Sequence, residues 1–141
     1  MDGRMTPAAA LVNASSRPRI LVVDDDYLVA AATSGSLRDG GFEVIETAAS
    51  AEEAVALASK THPLLILMDI RLAGDRDGID AALEIFRSLG IRCIFATAHA
   101  DPVTRARAEP ASPLGWLPKP YDMEAAVAAA RDAVARLTNP N

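Results

Sequence analysis

Two kinds of hydrophobic pattern alternate along the chain. Residues 20–23, 44–46, 64–68, 93–97 and 115–117 form short runs rich in β-branched and aliphatic side chains, and each run predicts a strand. The run 64–68 reads LLILM, apolar at every position, which predicts a central strand buried on both faces of a parallel sheet. Between the runs, apolar residues recur at helical spacing. Leu28, Ala31, Ala32 and Leu37 predict a first helix with Asp26 as its cap, weakened by Gly35 at about 1 kcal/mol relative to alanine. Ser50 and Glu53 predict a capping box that starts a second helix near Ala51, with Ala51, Ala54, Val55 and Ala58 on its apolar side. Ile79, Ala82, Leu83, Phe86 and Leu89, followed by a Gly90 stop, predict a third. Asp101-Pro102 predicts the start of a fourth helix. Asp122 predicts that of a fifth, which aligns Met123, Val127, Ala130, Val134 and Leu137.

Five alternations of strand and helix with short connections predict an α/β fold of (βα)5 type. Such a fold is a doubly wound, five-stranded parallel sheet with right-handed crossovers and helices on both faces. Ligands of these folds bind at the carboxyl ends of the strands. A length of 141 residues suits one domain, expected over residues 19–138 behind a flexible leader at 1–18.

Composition narrows the function. Half of the residues are hydrophobic, which excludes a disordered or fibrous chain. The 14 Lys and Arg against 19 Asp and Glu leave a net charge of −5, which argues against nucleic acid or anionic membrane partners. One cysteine, Cys93, rules out an internal disulfide framework and any cysteine-based zinc site, and suits a reducing cytoplasm; it is expected in the core. The apolar patch at 8–12 is too short for a signal peptide, and no run approaches the roughly 18 residues of a membrane helix. A cytoplasmic location is expected, where the sequon-like Asn13-Ala14-Ser15 has no use.

The chemistry gathers where the strands end. The first run ends in Asp24-Asp25-Asp26, the third in Asp69, the fourth in Thr97, and the fifth leads through Leu117-Pro118 to Lys119-Pro120. Capping accounts for Asp26 and Asp101, but not for Asp24, Asp25 and Asp69 at the ends of apolar strands. Carboxylates crowded at one sheet edge repel strongly unless a cation neutralises them, and an all-oxygen donor set favours Mg²⁺.

The ordered set ILVVDDD, LLILMDIRL, IFATA and GWLPKP resembles the receiver domains of bacterial two-component response regulators. The resemblance covers about residues 18–137 and implies a flavodoxin-like receiver fold of the single-domain, CheY-like kind. It implies Asp69 as phosphoacceptor, Asp25 as a direct Mg²⁺ ligand, Asp24 as a further ligand acting partly through water, and the Arg71 backbone carbonyl as another. It implies that Thr97 meets a phosphoryl oxygen, that Lys119 pairs with Asp69 and then with the phosphoryl group, and that the Lys119-Pro120 bond is cis. Three departures stand out. The loop after Asp69 (Ile70 to Gly78) is about one residue longer than usual and similar to a subset reading DI.L....DGI, the aromatic switch position is Trp116 rather than Tyr or Phe, and helix four is short and broken by Pro110 and Pro113. The string Phe95-Ala96-Thr97 is similar to a stand-alone alphaproteobacterial group with a FAT motif.

His99 and Arg71, each two residues past a site residue, are candidates for tuning the lifetime of the phosphorylated form. His62 is read as a solvated loop residue, and the alanine-rich fifth helix as a good helix former rather than a dimer face. The chain ends four residues after helix five, so the expectation is a stand-alone receiver, monomeric or weakly dimeric. It would take phosphoryl groups from a sensor histidine kinase and signal to a target or phosphotransfer protein. A haloacid-dehalogenase-like phosphatase using Asp24 as nucleophile and Asp26 as acid is the alternative. It lacks an acidic pair after the lysine and a cap, and leaves Asp69 without a role. A flavin-binding module lacks the expected phosphate loop after the first strand.

Overall fold

A computed structural model describes residues 17–139 of the chain. Five strands, β1 (Ile20–Val23), β2 (Thr47–Ala48), β3 (Leu65–Asp69), β4 (Arg92–Thr97) and β5 (Gly115–Pro118), alternate with five helices. The helices are α1 (Tyr27–Asp39), α2 (Ala51–Thr61), α3 (Gly78–Leu89), α4 (Pro102–Ala108) and α5 (Met123–Thr138). All strand pairs are parallel and the order is β2-β1-β3-β4-β5, a doubly wound flavodoxin-like sheet.

Every residue of β3 is buried, as a central parallel strand requires. Ile66 and Met68 point into the layer formed with α2, α3 and α4, while Leu65 and Leu67 point into the layer formed with α1 and α5. Cys93 lies in the first layer, and burial pushes its thiol up to about 12, so it serves as a small apolar residue. Among the described residues no helix is long and apolar enough to cross a membrane.

The caps follow the predicted logic with one exchange. Asp26, Ser50, Asp101 and Asp122 each accept backbone amides at the starts of α1, α2, α4 and α5. At α2, however, the Glu53 carboxylate takes the Ala49 amide instead of the Ser50 amide. A reciprocal capping box lies at α3, between Asp77 and Asp80, where none was read in the sequence. Gly90 ends α3 in the left-handed conformation.

Three sequence expectations need correction. The second strand is Thr47–Ala48 and not 44–46, because the Val44 carbonyl accepts from the Arg38 guanidinium and leaves the ladder. The buried face of α1 is Ala30, Thr33, Ser34 and Leu37; Leu28, Ala31 and Ala32 are exposed. The phase is set by packing against α5, whose alanines allow close approach, and by Tyr121 just ahead of it, whose hydroxyl lies 3.0 Å from Thr33 Oγ1. Finally, Leu64 is partly exposed and precedes β3. The expected leader falls outside the described residues up to 16, and the Pro18 carbonyl already accepts the Glu43 amide at 2.9 Å.

Candidate functional site

Strand register brings the site together. Val23 pairs with Met68, so Asp24, the next residue, stands level with Asp69 at the carboxyl end of β3. Asp69 pairs with Ala96, which sets Thr97 one step beyond it, and Thr97 pairs with Pro118, which sets Lys119 a further step out. These residues line one open cleft of about 680 Å³, together with Asp25, Asp26, Arg71, His99, Asp101 and Thr104.

Asp24 and Asp69 are each only 4% exposed, whereas Asp25 is exposed. One carboxylate oxygen from each of the three lies within 4.8 Å of the others. Lys119 Nζ donates to Asp69 Oδ2 at 3.2 Å and reaches Asp24 Oδ2 at 3.5 Å. A single ammonium therefore pairs with two of the three carboxylates. Burial first, and the Asp24 charge second, push the Asp69 carboxyl up to about 6, although Lys119 pulls it down. Burial works against the charge on Lys119, yet the two carboxylates outweigh it and raise its pKa.

The remaining polar groups are held by the backbone. Asp24 Oδ1 accepts the Asp26 amide at 2.8 Å, and Asp26 Oδ1 caps α1 through the Leu28 and Val29 amides. Thr97 Oγ1 accepts the His99 amide at 3.2 Å, so its hydroxyl is turned to the β4–α4 loop and not to Asp69. The Lys119-Pro120 peptide is cis. Arg71 and His99 are both exposed on the rim. Trp116 is half-buried, with its ring centroid 5.1 Å from that of Phe95 and the Arg105 guanidinium 4.7 Å above it.

Sequence reading missed Thr104 as a cleft residue, and treated Asp101 only as a cap. The signal was present in the cap itself, since a helix begun by Asp101 beside Thr97 must turn its first turn toward the strand ends. An all-carboxylate donor set, two of its members buried and opposed by one lysine, fits a hard divalent cation such as Mg²⁺.

Residues 20–131 match the family model of the response regulator receiver domain. The chain is 33% identical over 136 residues to the transcriptional regulatory protein PdtaR of Mycobacterium tuberculosis, an alignment covering 96% of this chain and 64% of PdtaR. Among solved structures it is similar to the signal receiver domain of a modulated diguanylate cyclase from Desulfovibrio desulfuricans G20. That likeness has 30% identity and a TM-score of 0.79, over 89% of this chain and 99% of the other. It is also similar to the chemotaxis protein CheY4 of Vibrio cholerae, at 25% identity and a TM-score of 0.77 over 84% and 99%.

Proposed function

This chain belongs to the response regulator receiver domain family, and we propose that it accepts a phosphoryl group on Asp69 from a sensor histidine kinase. The observation that carries this reading is the buried Asp69 carboxylate, flanked by Asp24 and Asp25 and paired with Lys119 at 3.2 Å. Asp24, Asp25, Asp69 and the Arg71 backbone carbonyl would hold Mg²⁺. The bound ion would neutralise charge on the phosphoryl oxygens.

The protein side of the step is covalent catalysis. A carboxyl group of about 6 is mainly ionised at neutral pH, so an Asp69 oxygen attacks the donor phosphorus, the bond to the donor breaks, and an acyl phosphate forms. Lys119, already 3.2 Å away, shifts its ammonium to the new phosphoryl oxygens, and Thr97 turns its hydroxyl from the His99 backbone to a phosphoryl oxygen. Trp116 is the proposed aromatic switch, held in this state between Phe95 and Arg105. Signalling then proceeds through contacts with a target or phosphotransfer protein in the cytoplasm, by a monomer or weak dimer. The net charge of −5 supports protein over nucleic acid partners for this chain, whereas PdtaR is named a transcriptional regulator. The phosphatase alternative gains no support, since its proposed acid, Asp26, is taken up in capping α1.

The test is incubation with Mg²⁺ and acetyl phosphate, followed by mass mapping of the labelled residue. We expect one label, on Asp69, and none in Asp69→Asn; a label on Asp24 would replace this reading with the phosphatase-like one. With the same label, Arg71→Ala and His99→Ala are expected to change the half-life of the acyl phosphate several-fold and its rate of formation less. Both side chains stand on the rim of the cleft by which water enters. Decay matching the parent in both variants would leave them as solvated surface.

A further inference from the structure

An ion-pair cluster away from the carboxylates joins α4 to the loop that follows Asp69. Arg107 on α4 forks onto both oxygens of Asp77, at 2.8 and 3.0 Å, and also donates to Asp80 Oδ1 at 3.1 Å. These two carboxylates are the reciprocal capping box of α3, with Asp77 taking the Asp80 amide and Asp80 the Asp77 amide. Planar, bidentate guanidinium–carboxylate pairs are the strong kind. Although burial alone would raise it, the Asp77 carboxyl sits below its ordinary range, mainly through the Arg107 hydrogen bonds and the Asp80 amide.

The position of this box gives it meaning. The next residue, Gly78, donates its amide to the Ile70 carbonyl at 2.8 Å and packs directly against the Asp69 carbonyl. Residues 70–78 are therefore a loop closed on itself, with one foot at the acceptor and the other at Asp77-Gly78. On the opposite side, α4 has seven residues, too few to hold a helix by propensity, so its place depends on its side-chain contacts. Thr104 lines the cleft, Arg105 covers Trp116 and holds the Ala100 carbonyl at 3.0 Å, and Arg107 grips the loop foot.

We propose that Arg107 is a positioning residue that yokes α4 to the foot of the acceptor loop, so that rearrangement at Asp69 reaches α4 through the Asp77–Asp80 capping box. This rests on Asp69 being the phosphoacceptor. A path through Thr97 and the β4–α4 loop enters α4 at its first turn; the Arg107 path enters at its last, and ties it to α3.

Amide hydrogen exchange of the full chain tests this, without and with Mg²⁺ plus beryllofluoride, an acyl-phosphate mimic. Three proteins suffice: the parent, Arg107→Ala and Asp77→Asn. The asparagine keeps an N-cap acceptor and removes the charge, which separates the ion pair from the cap. At rest, both variants are expected to exchange about three- to fivefold faster in 102–108, in keeping with a partly exposed charge network. With beryllofluoride, protection in 70–78 is expected to change in all three proteins, while the accompanying change in 102–108 appears only in the parent. A response in 102–108 that persists in both variants would overturn the yoke. Acetyl phosphate labelling of the same samples separates the two failures: no label on Asp69 in the parent defeats the phosphoacceptor reading, whereas normal labelling with an unaltered α4 response defeats only this one.

Discussion

Gly78→Ala is expected to lower folding stability by about 3 kcal/mol or more, at the upper end of what overpacking costs. A Cβ at this position would lie 2.0 Å from the Asp69 carbonyl oxygen, 2.9 Å from its carbon and 2.9 Å from Met68 Cγ. The nearest obstacle is backbone of the central strand, which cannot rotate away as a side chain can. Relief requires α3 to back off from β3, and that would break the Gly78 amide bond to the Ile70 carbonyl at the foot of the acceptor loop. Gly35→Ala is the matched control, since an added Cβ there meets nothing within 4 Å and removes a helix-interior glycine. It is expected to gain up to about 1 kcal/mol. Thermal or urea unfolding of the two variants checks both signs; equal stability of Gly78→Ala and the parent would mean that the two elements are not in this contact.

Asp69→Asn is expected to be more stable than the parent at neutral pH in the absence of divalent metal. The carboxyl sits at about 6 in the folded chain against an ordinary 3.8. Well below pH 3.8 it is protonated in both states and costs nothing. As pH rises from 4 to 6 the unfolded chain loses its proton first, so the parent loses stability through that window, by roughly 2–3 kcal/mol in all. Above about 6 the difference stays constant. Asparagine carries no such charge, so the gap between variant and parent should open between pH 4 and 6 and hold at higher pH in EDTA. Adding MgCl2 should narrow it, because the parent keeps the third carboxylate and gains more from binding. Unfolding midpoints across pH, with and without metal, read both effects. A gap that is flat with pH, or a variant less stable than the parent at pH 7.5 in EDTA, would mean that Asp69 is not held in an anion-unfavourable place.

The strand ends were legible because two local rules coincide there. Apolar β-branched runs mark buried parallel strands, and the residue at or after each run has to lie at the sheet edge. Asp24, Asp25, Asp69, Thr97 and Lys119 were read from that rule alone and do line one cleft. Residues 44–46 failed the same rule because the competitor was distant in kind: a guanidinium from α1 takes the Val44 carbonyl that a ladder would have used. Periodicity misjudged α1 for a similar reason. Its inner face includes Thr33, which meets the Tyr121 hydroxyl just ahead of α5, and Ser34, whose buried Oγ has no hydrogen-bond partner among the described residues.

Order of elements, the centrality of β3, most helix starts and the membership of the acidic cluster depend on short-range patterns, and the sequence by itself determined them. Distances, burial and partnership depend on which surfaces meet. Only the tertiary structure decided that Asp24 and Asp69 share Lys119, that the Thr97 hydroxyl turns to His99, and that Gly78 touches the Asp69 backbone. It also decided that Arg107 finds Asp77 across 30 residues of chain. The physical reason is that helix and strand periods follow from chain geometry, whereas charge pairing and close approach follow from register and packing between elements far apart in sequence.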